Sequence, residues 1–253
     1  MNLLAPFTNG PIAHRTLHDV TSGNPENSWE GLDAAISSGY AIEIDLQLSL
    51  DGIPIVFHDY KLDRVTKETG LICERYASEI ENITLQGGKK GIPRFDTFMS
   101  YVDGRVPVLI ELKDQDGTLG NTSTIFETAV CKILKKYQGP VAIMSFNPHM
   151  IEKCATLAPN IPRGLVTGVF KENEWPNVTK LRCEELAMIP DYFSIGASFV
   201  SHDHMDLNSD VVKRLKKSGA TILCWTVRSQ KEHKIARKIA DSVTFEGYLP
   251  SVF

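Results

Sequence analysis

Two histidines, three carboxylates and two cations stand at or near the ends of short apolar runs. His14-Arg15 closes one run, and Glu43-Ile44-Asp45 lies within another. His58 ends a third, and Glu111 and Lys113 end the run Val-Leu-Ile-Glu-Leu-Lys. Alternate residues of a strand share a face, so Glu43 pairs with Asp45, and Glu111 with Lys113, on single faces. Such charges are costly to bury unless paired or bound to something. Three carboxylates with no cysteine nearby suit a hard divalent cation, Mg²⁺ or Ca²⁺, better than zinc. Arg15 offers phosphate a bidentate fork and Lys113 a point charge. Histidines titrate near neutrality and can serve as general base and general acid. Cation, clamp and histidine pair together suit cleavage of a phosphate ester. Taken singly, Glu111–Lys113 or Arg15–Glu43 reads equally well as a buried ion pair filling a layer of the core, and His14 as a core histidine. Five charges gathered at strand ends favour function, because buried charges are rare unless paired or functional.

The elements that must position these residues follow from the apolar pattern. Strands are expected at Ile12–Arg15, Ala41–Leu48, Val106–Lys113, Pro140–Phe146, Gly164–Thr167, Tyr192–Ala197, Thr221–Val227 and Ser242–Phe245. Pro54–His58 forms a further arm. The turn Leu50-Asp51-Gly52 is too short for a parallel crossover, so this arm folds back antiparallel and brings His58 beside Glu43 and Asp45. Helices are expected at Ser28–Gly39, Phe95–Val102, Thr122–Tyr137, His149–Leu157, Ser209–Ser218 and Gln230–Ala240, with a weaker candidate at Asn177–Ala187. Eight β/α repeats point to an α/β fold, a (β/α)₈ TIM barrel, with an open doubly wound sheet as the alternative. Residues 1–253 read as a single barrel domain. A small insertion after the second barrel strand, about 59–91, is expected to lie over the active-site mouth.

The composition of the 253 residues, 42% hydrophobic and 23% charged, is that of a soluble globular chain. A net charge of −4 gives no reason to expect nucleic-acid binding. No apolar run is long enough to span a bilayer. The first residues lack the basic start of a secretory signal. The five scattered cysteines imply neither a disulfide framework nor a zinc knuckle, so reduced thiols in a cytoplasmic protein are the expectation. The basic runs Lys132–Lys136 and Lys213–Lys217 read as solvated helix faces. His202-Asp203-His204 reads as a loop, a substrate contact before a second metal site. Phe146 and Trp225 read either as an apolar wall for the substrate or as core. Nothing in the sequence sets an oligomeric state.

Taken together, the chain resembles the glycerophosphodiester phosphodiesterase family. The resemblance runs from near the N-terminus almost to the end. It is carried by His14-Arg15, Pro25-Glu26-Asn27-Ser28, Glu43-Ile44-Asp45, Asp51-Gly52 with Ile55–Asp59, Leu62–Thr66, Ile92–Phe95, Glu111-Leu112-Lys113, Ser145-Phe146 and Trp225-Thr226-Val227. It implies a TIM barrel with an insertion after the second strand and a small-molecule glycerophosphodiester substrate. It also implies a cation on Glu43, Asp45 and Glu111, acid/base work by His14 and His58, and phosphate binding by Arg15 and Lys113. The implied chemistry is attack of the neighbouring glycerol hydroxyl on phosphorus, loss of the alcohol, and opening of a cyclic phosphate by water to glycerol 3-phosphate. Three positions depart from the family pattern: Thr16 where glycine is usual, Arg228 where asparagine is common, and Glu246 where aspartate is usual. The alternatives to this reading are a lysophospholipase D-like activity on the same barrel and a non-catalytic phosphate-ester binding protein.

Overall fold

The computed structural model describes residue 3 and residues 5–251. Its strands are β1 (Ile12–Ala13), β2 (Ala41–Leu48), β3 (Pro54–Val56), β4 (Val108–Leu112), β5 (Val141–Ser145), β6 (Arg163–Thr167), β7 (Phe199–Asp203), β8 (Thr221–Val227) and β9 (Ser242–Phe245). Apart from β3 they run parallel in the order β1-β9-β8-β7-β6-β5-β4-β2, and β1 pairs with β2 to close the ring. The result is the expected (β/α)₈ barrel. β3 is an antiparallel arm on β2, with Leu46 opposite Val56 and Leu48 opposite Pro54.

The strand period decides what enters the lumen. Ile42, Ile44 and Leu46 on β2, and Val108, Ile110 and Leu112 on β4, face outward into the large core beneath the helices. The intervening positions face inward. At one end of the lumen these are apolar, with Ile12, Ala41, Leu109, Ala142, Phe199 and Leu223 packed together. Toward the C-terminal strand ends the same inward row turns polar and supplies Glu43, Asp45 and Glu111, all buried. A parallel barrel carries its chemistry at this end.

Helices α1 (Trp29–Ser38), α2 (Ala77–Ile80), α3 (Phe95–Val102), α4 (Ile125–Leu134), α5 (Pro148–Leu157), α6 (Lys180–Ala187), α7 (Asp210–Lys217) and α8 (Gln230–Ala236) fill the connections. α1 starts where its sequence says it should. The Ser28 hydroxyl accepts from Gly31 N–H, and Gly39 ends the helix in the left-handed region, its N–H donating to Ala35 and Ile36. Among the described residues no helix is long and apolar enough to cross a membrane. All five cysteines are free, four buried and Cys73 exposed.

One expected strand is misplaced. Tyr192–Ala197 is not a strand: Pro190–Tyr192 forms a 3₁₀ turn, and the strand begins at Phe199. Tyr192 and Ile195 bury their apolar side chains in the outer core from a loop, which imitates a strand. The true strand Phe-Val-Ser-His-Asp hides its character because two of its buried positions are Ser201 and His202. His202 and Asp203 therefore lie in β7, not in a loop.

Residues 59–91 build a small core of their own. Leu62, Ile72, Ala77, Ile80 and Leu85 pack on Ile55 and Phe57 of the β3 arm and on Ile92. This segment also reaches the β1–α1 loop, where Arg64 pairs with Glu26, and the start of α1, where the N–H groups of Lys89 and Lys90 donate to Glu30.

The Thr16 departure has a structural counterpart. Thr16 holds φ +70° beside Arg15 at +51°, a region costly for a β-branched residue. A side chain at Gly31 would overlap the Thr16 hydroxyl and lie 3.2 Å from the Pro25 carbonyl. Gly31→Ala should therefore destabilise the fold by about 1–3 kcal/mol. Much of that loss should return in a Thr16→Gly background, which removes both the obstructing hydroxyl and the strained φ. Urea unfolding of the two single variants and the double variant checks this, and an additive double variant would contradict it.

Candidate active site

The β1–α1 loop wraps the end of β2 through backbone and side chain alike. Arg15 N–H donates to Glu43 Oε2 at 2.9 Å, and Thr16 N–H to the Glu43 carbonyl at 2.9 Å. Asn27, also at positive φ (+53°), donates its amide to Asp45 Oδ2 at 2.9 Å, while its backbone N–H reaches the Arg15 carbonyl. Three left-handed non-glycine residues thus surround Glu43 and Asp45, and the contacts they make hold them there. The hairpin arm does what its length requires: Phe57 N–H donates to the Asp45 carbonyl at 2.9 Å, and His58 follows directly.

All nine residues singled out in the sequence line one cavity of about 140 Å³: His14, Arg15, Glu43, Asp45, His58, Glu111, Lys113, Phe146 and Trp225. Glu43, Asp45 and Glu111 each offer an oxygen, and these atoms lie within 4.8 Å of one another. Lys113 Nζ sits 2.7 Å from Glu111 and 3.1 Å from Asp45, and Arg15 Nε 3.6 Å from Asp45. Burial opposes ionisation of Asp45, but Lys113, His58 and Arg15 outweigh it and hold its carboxyl well below the usual range. Glu43 is the reverse case. Burial and the charges of Asp45 and Glu111 push its carboxyl well above the usual range, and its Oε1 is buried without a hydrogen-bond partner. An orphaned carboxylate oxygen among three inward carboxylates is what a hard divalent cation would satisfy. The donor set fits such an ion.

Each histidine is oriented by a carboxylate. His14 Nδ1–H donates to Glu246 Oε2 at 2.5 Å, and His58 Nδ1–H to Asp59 Oδ1 at 2.6 Å. That leaves Nε2 of both rings for other work. Burial lowers His14 below the ordinary histidine value, against the opposing pull of Glu246. Burial raises Glu246, but its hydrogen bonds from His14 and His18 prevail, so it stays ionised. Asp59 likewise stays ionised against burial through His58 and Arg64. Arg64 bridges Asp59 to Glu26, and Glu26 in turn pairs with Arg15 at 2.9 Å.

The aromatic pair packs against the apolar end of the lumen. Phe146 and Trp225 line the cavity and also pack edge-on, ring centres 5.6 Å apart. Trp225 is anchored by its indole N–H on the Ser201 carbonyl at 3.0 Å. His202 does not reach the cavity. It is fully buried, bonded to Thr167 at 2.8 Å and Asp206 at 3.1 Å, and His204 is held near the Trp225 carbonyl at 3.3 Å.

Sequence reasoning left several partners without a role. Glu26, Asn27, Asp59 and Arg64 stand in the motifs that carry the resemblance, but with no role of their own, and His18 was not singled out. Arg228 and Glu246 stood out only as departures, yet they pair with each other at 2.8 Å. An acid just past the last barrel strand is the one positional signal that pointed to Glu246.

The sequence model of the Glycerophosphoryl diester phosphodiesterase family matches residues 14–243. Glycerophosphodiester phosphodiesterase 1 of Bos taurus is 38% identical, covering 87% of this chain and 72% of its own. A glycerophosphodiester phosphodiesterase of Bacillus subtilis (strain 168) is 25% identical over 91% of this chain and 80% of its own. The solved structure of an Oleispira antarctica phosphodiesterase, in complex with the product sn-glycerol-3-phosphate, superposes with a TM-score of 0.75. It is 24% identical, over 95% of this chain and 94% of that one.

The raised Glu43 carboxyl has a measurable sign. A carboxyl raised by folding stabilises the fold below its unfolded value, near 4.5, and that contribution is lost as pH rises toward the folded value. Without divalent cations, wild-type stability should therefore fall relative to Glu43→Gln as pH rises above about 4.5. Mg²⁺ or Ca²⁺ at about a hundredfold over Kd should raise the wild-type Tm by about 5 °C or more and leave Glu43→Gln nearly unmoved. Thermal melts across pH, with and without each ion, decide it; equal ion shifts in both proteins would refute it.

Proposed function

Because this chain belongs to the glycerophosphoryl diester phosphodiesterase family, it is a hydrolase of glycerophosphodiesters, and we propose that the cavity at the C-terminal strand ends is where that reaction occurs. The observation that carries this reading is the pair of carboxylate-oriented histidines lining one cavity with three carboxylates and two cations.

In this reading His14 is the first base. Its burial favours the neutral ring, and the Nδ1–H bond to Glu246 leaves the lone pair on Nε2. His14 Nε2 takes the proton of the glycerol hydroxyl as that oxygen attacks phosphorus. His58, held by Asp59, gives its proton to the departing alcohol oxygen. Water then opens the cyclic phosphate: His58 recovers a proton from the water, and His14 returns one to the glycerol oxygen. Arg15, braced by Glu26, and Lys113 bind the phosphoryl oxygens. Phe146 and Trp225 wall the carbon portion of the substrate. A divalent cation, Mg²⁺ or Ca²⁺, on Glu43, Asp45 and Glu111 would lower the pKa of the attacking hydroxyl and offset charge on the phosphoryl oxygens. Glu246 acts as a positioning residue through His14. This gives one of the family departures a role. Residues 59–91, tied to the β1–α1 loop and the start of α1 by Arg64, Lys89 and Lys90, brace the mouth from beside it as part of a single domain.

A second reading, lysophospholipase D-like cleavage, draws on a neighbouring cavity of about 550 Å³ whose walls include Leu17, Val20, Phe245, Tyr248 and Leu249. A lysolipid in the substrate panel distinguishes the two.

The defining measurement is release of glycerol 3-phosphate from a panel of glycerophosphodiesters, with each ion and with EDTA. Release should require a divalent ion, and His14→Ala and His58→Ala should each lower kcat/KM by about 10²- to 10⁴-fold. Persistent turnover in both variants would sink the assignment. The acid limb of kcat/KM should lie below about 6.5, because burial of His14 favours its basic form. Glu246→Gln should lower kcat by about 10²-fold or more with KM little changed, because it no longer fixes the His14 tautomer. A change confined to KM would assign Glu246 to substrate binding instead.

A further inference from the structure

A second set of donors adjoins the carboxylate site. His14 Nδ1 lies 2.5 Å, and His18 Nε2 3.4 Å, from the same oxygen, Oε2 of Glu246. The three groups offer ligand atoms all within 4.8 Å of one another. The other Glu246 oxygen, Oε1, is taken by Arg228 at 2.8 Å, so Oε2 is the one left to face both imidazoles. Arg228 is 59% exposed, and solvent screens its charge. The His14-x₃-His18 spacing sits just past β1, and the fold carries Glu246 to it from just past β9.

We propose that His14, His18 and Glu246 form a binding site for a borderline transition-metal ion, Zn²⁺ by preference, whose occupation switches the enzyme off. Two imidazole nitrogens and one carboxylate suit zinc, cobalt or nickel, whereas the all-oxygen set of Glu43, Asp45 and Glu111 suits a hard ion. The two sites thus sort metals by donor chemistry. Access is separate as well. His18 and Glu246 line the 550 Å³ cavity, and His14 lines the smaller one beside the three carboxylates. An ion can arrive from the first cavity without displacing substrate from the second. Asp19, also on that cavity, is turned to its own loop, accepting from Thr21 and Ser22, and is not a ligand.

Occupation changes one thing at the reacting end. An ion on His14 Nδ1 takes the lone pair that otherwise binds the proton shared with Glu246, so the proton of the neutral ring moves to Nε2. Nε2 then has no lone pair to receive the proton of the substrate hydroxyl. The inhibitory half of the proposal rests on His14 as base, and the binding half does not.

The test titrates Mg²⁺-saturated protein with ZnSO₄ by calorimetry, and with CoCl₂ by visible absorption. Both are repeated on His18→Ala, on the size-conserving His18→Gln, and on the double variant Glu43→Gln/Glu111→Gln. One zinc should bind wild type despite the Mg²⁺ and give a cobalt spectrum with nitrogen ligands. Each His18 variant should bind about tenfold or more weaklier than wild type, since a lost ligand costs at least what a lost outer partner does. The double variant should bind as wild type does. Turnover should fall with zinc in kcat and not in KM, and added Mg²⁺ should not restore it. Zinc that binds both His18 variants as tightly as wild type, that excess Mg²⁺ displaces, or that does not bind at all would overturn the site. Zinc bound through His18 with turnover unchanged would keep the site and overturn His14 as the base.

Discussion

Three carboxylates share the polar end of a barrel lumen, and most of what surrounds them answers the cost of that charge. Lys113 enters between Glu111 and Asp45, Arg15 approaches Asp45, and Asn27 donates to it. What these groups leave least compensated is one carboxylate, Glu43, with a buried oxygen that has no hydrogen-bond partner among the described residues. Buried charge is tolerated when it is paired or coordinates an ion, and here the pairing within the chain is incomplete. The same shortfall is one that an oxygen-preferring divalent cation would relieve.

The histidines follow a related logic. Each has its Nδ1 proton held by an ionised carboxylate, and each carboxylate is itself held by an arginine: Glu246 by Arg228, and Asp59 by Arg64. The arginines lie toward solvent and the histidines toward the cavity. The charge of each chain is thus neutralised progressively from outside to inside, and the ring that faces the cavity keeps a defined tautomer. Networks of this kind tolerate paired replacement better than single replacement, because a lone change strands a buried partner. The arginine and glutamate that depart from the family pattern at 228 and 246 make chemical sense as one paired change.

Much of this was legible in one dimension. The alternation in Ala-Ile-Glu-Ile-Asp-Leu places Glu43 and Asp45 on one face, and Val-Leu-Ile-Glu-Leu-Lys does the same for Glu111 and Lys113, whatever the fold. The two-strand arm about Asp51 is too short for anything but a hairpin, which commits His58 to the neighbourhood of Asp45. The strand at Phe199 was not legible, because hydropathy reads Tyr192–Ala197 as the better strand. Only the packing of Tyr192 and Ile195 from a loop, with His202 buried on Thr167, reverses the order.

Local pattern and chain stiffness therefore determined the alternation of strands and helices, the carboxylate pairs and the hairpin histidine, since strand period and turn length act over a few residues. Tertiary structure alone decided the partners of His14. Glu246 is 232 residues away, and only closure of β9 onto β1 brings its carboxylate to the ring. No spacing rule reaches across a closed sheet. The tautomer of His14, the pairing of Arg228 with Glu246, and the convergence of His18 on the same oxygen exist because the last strand seals the first.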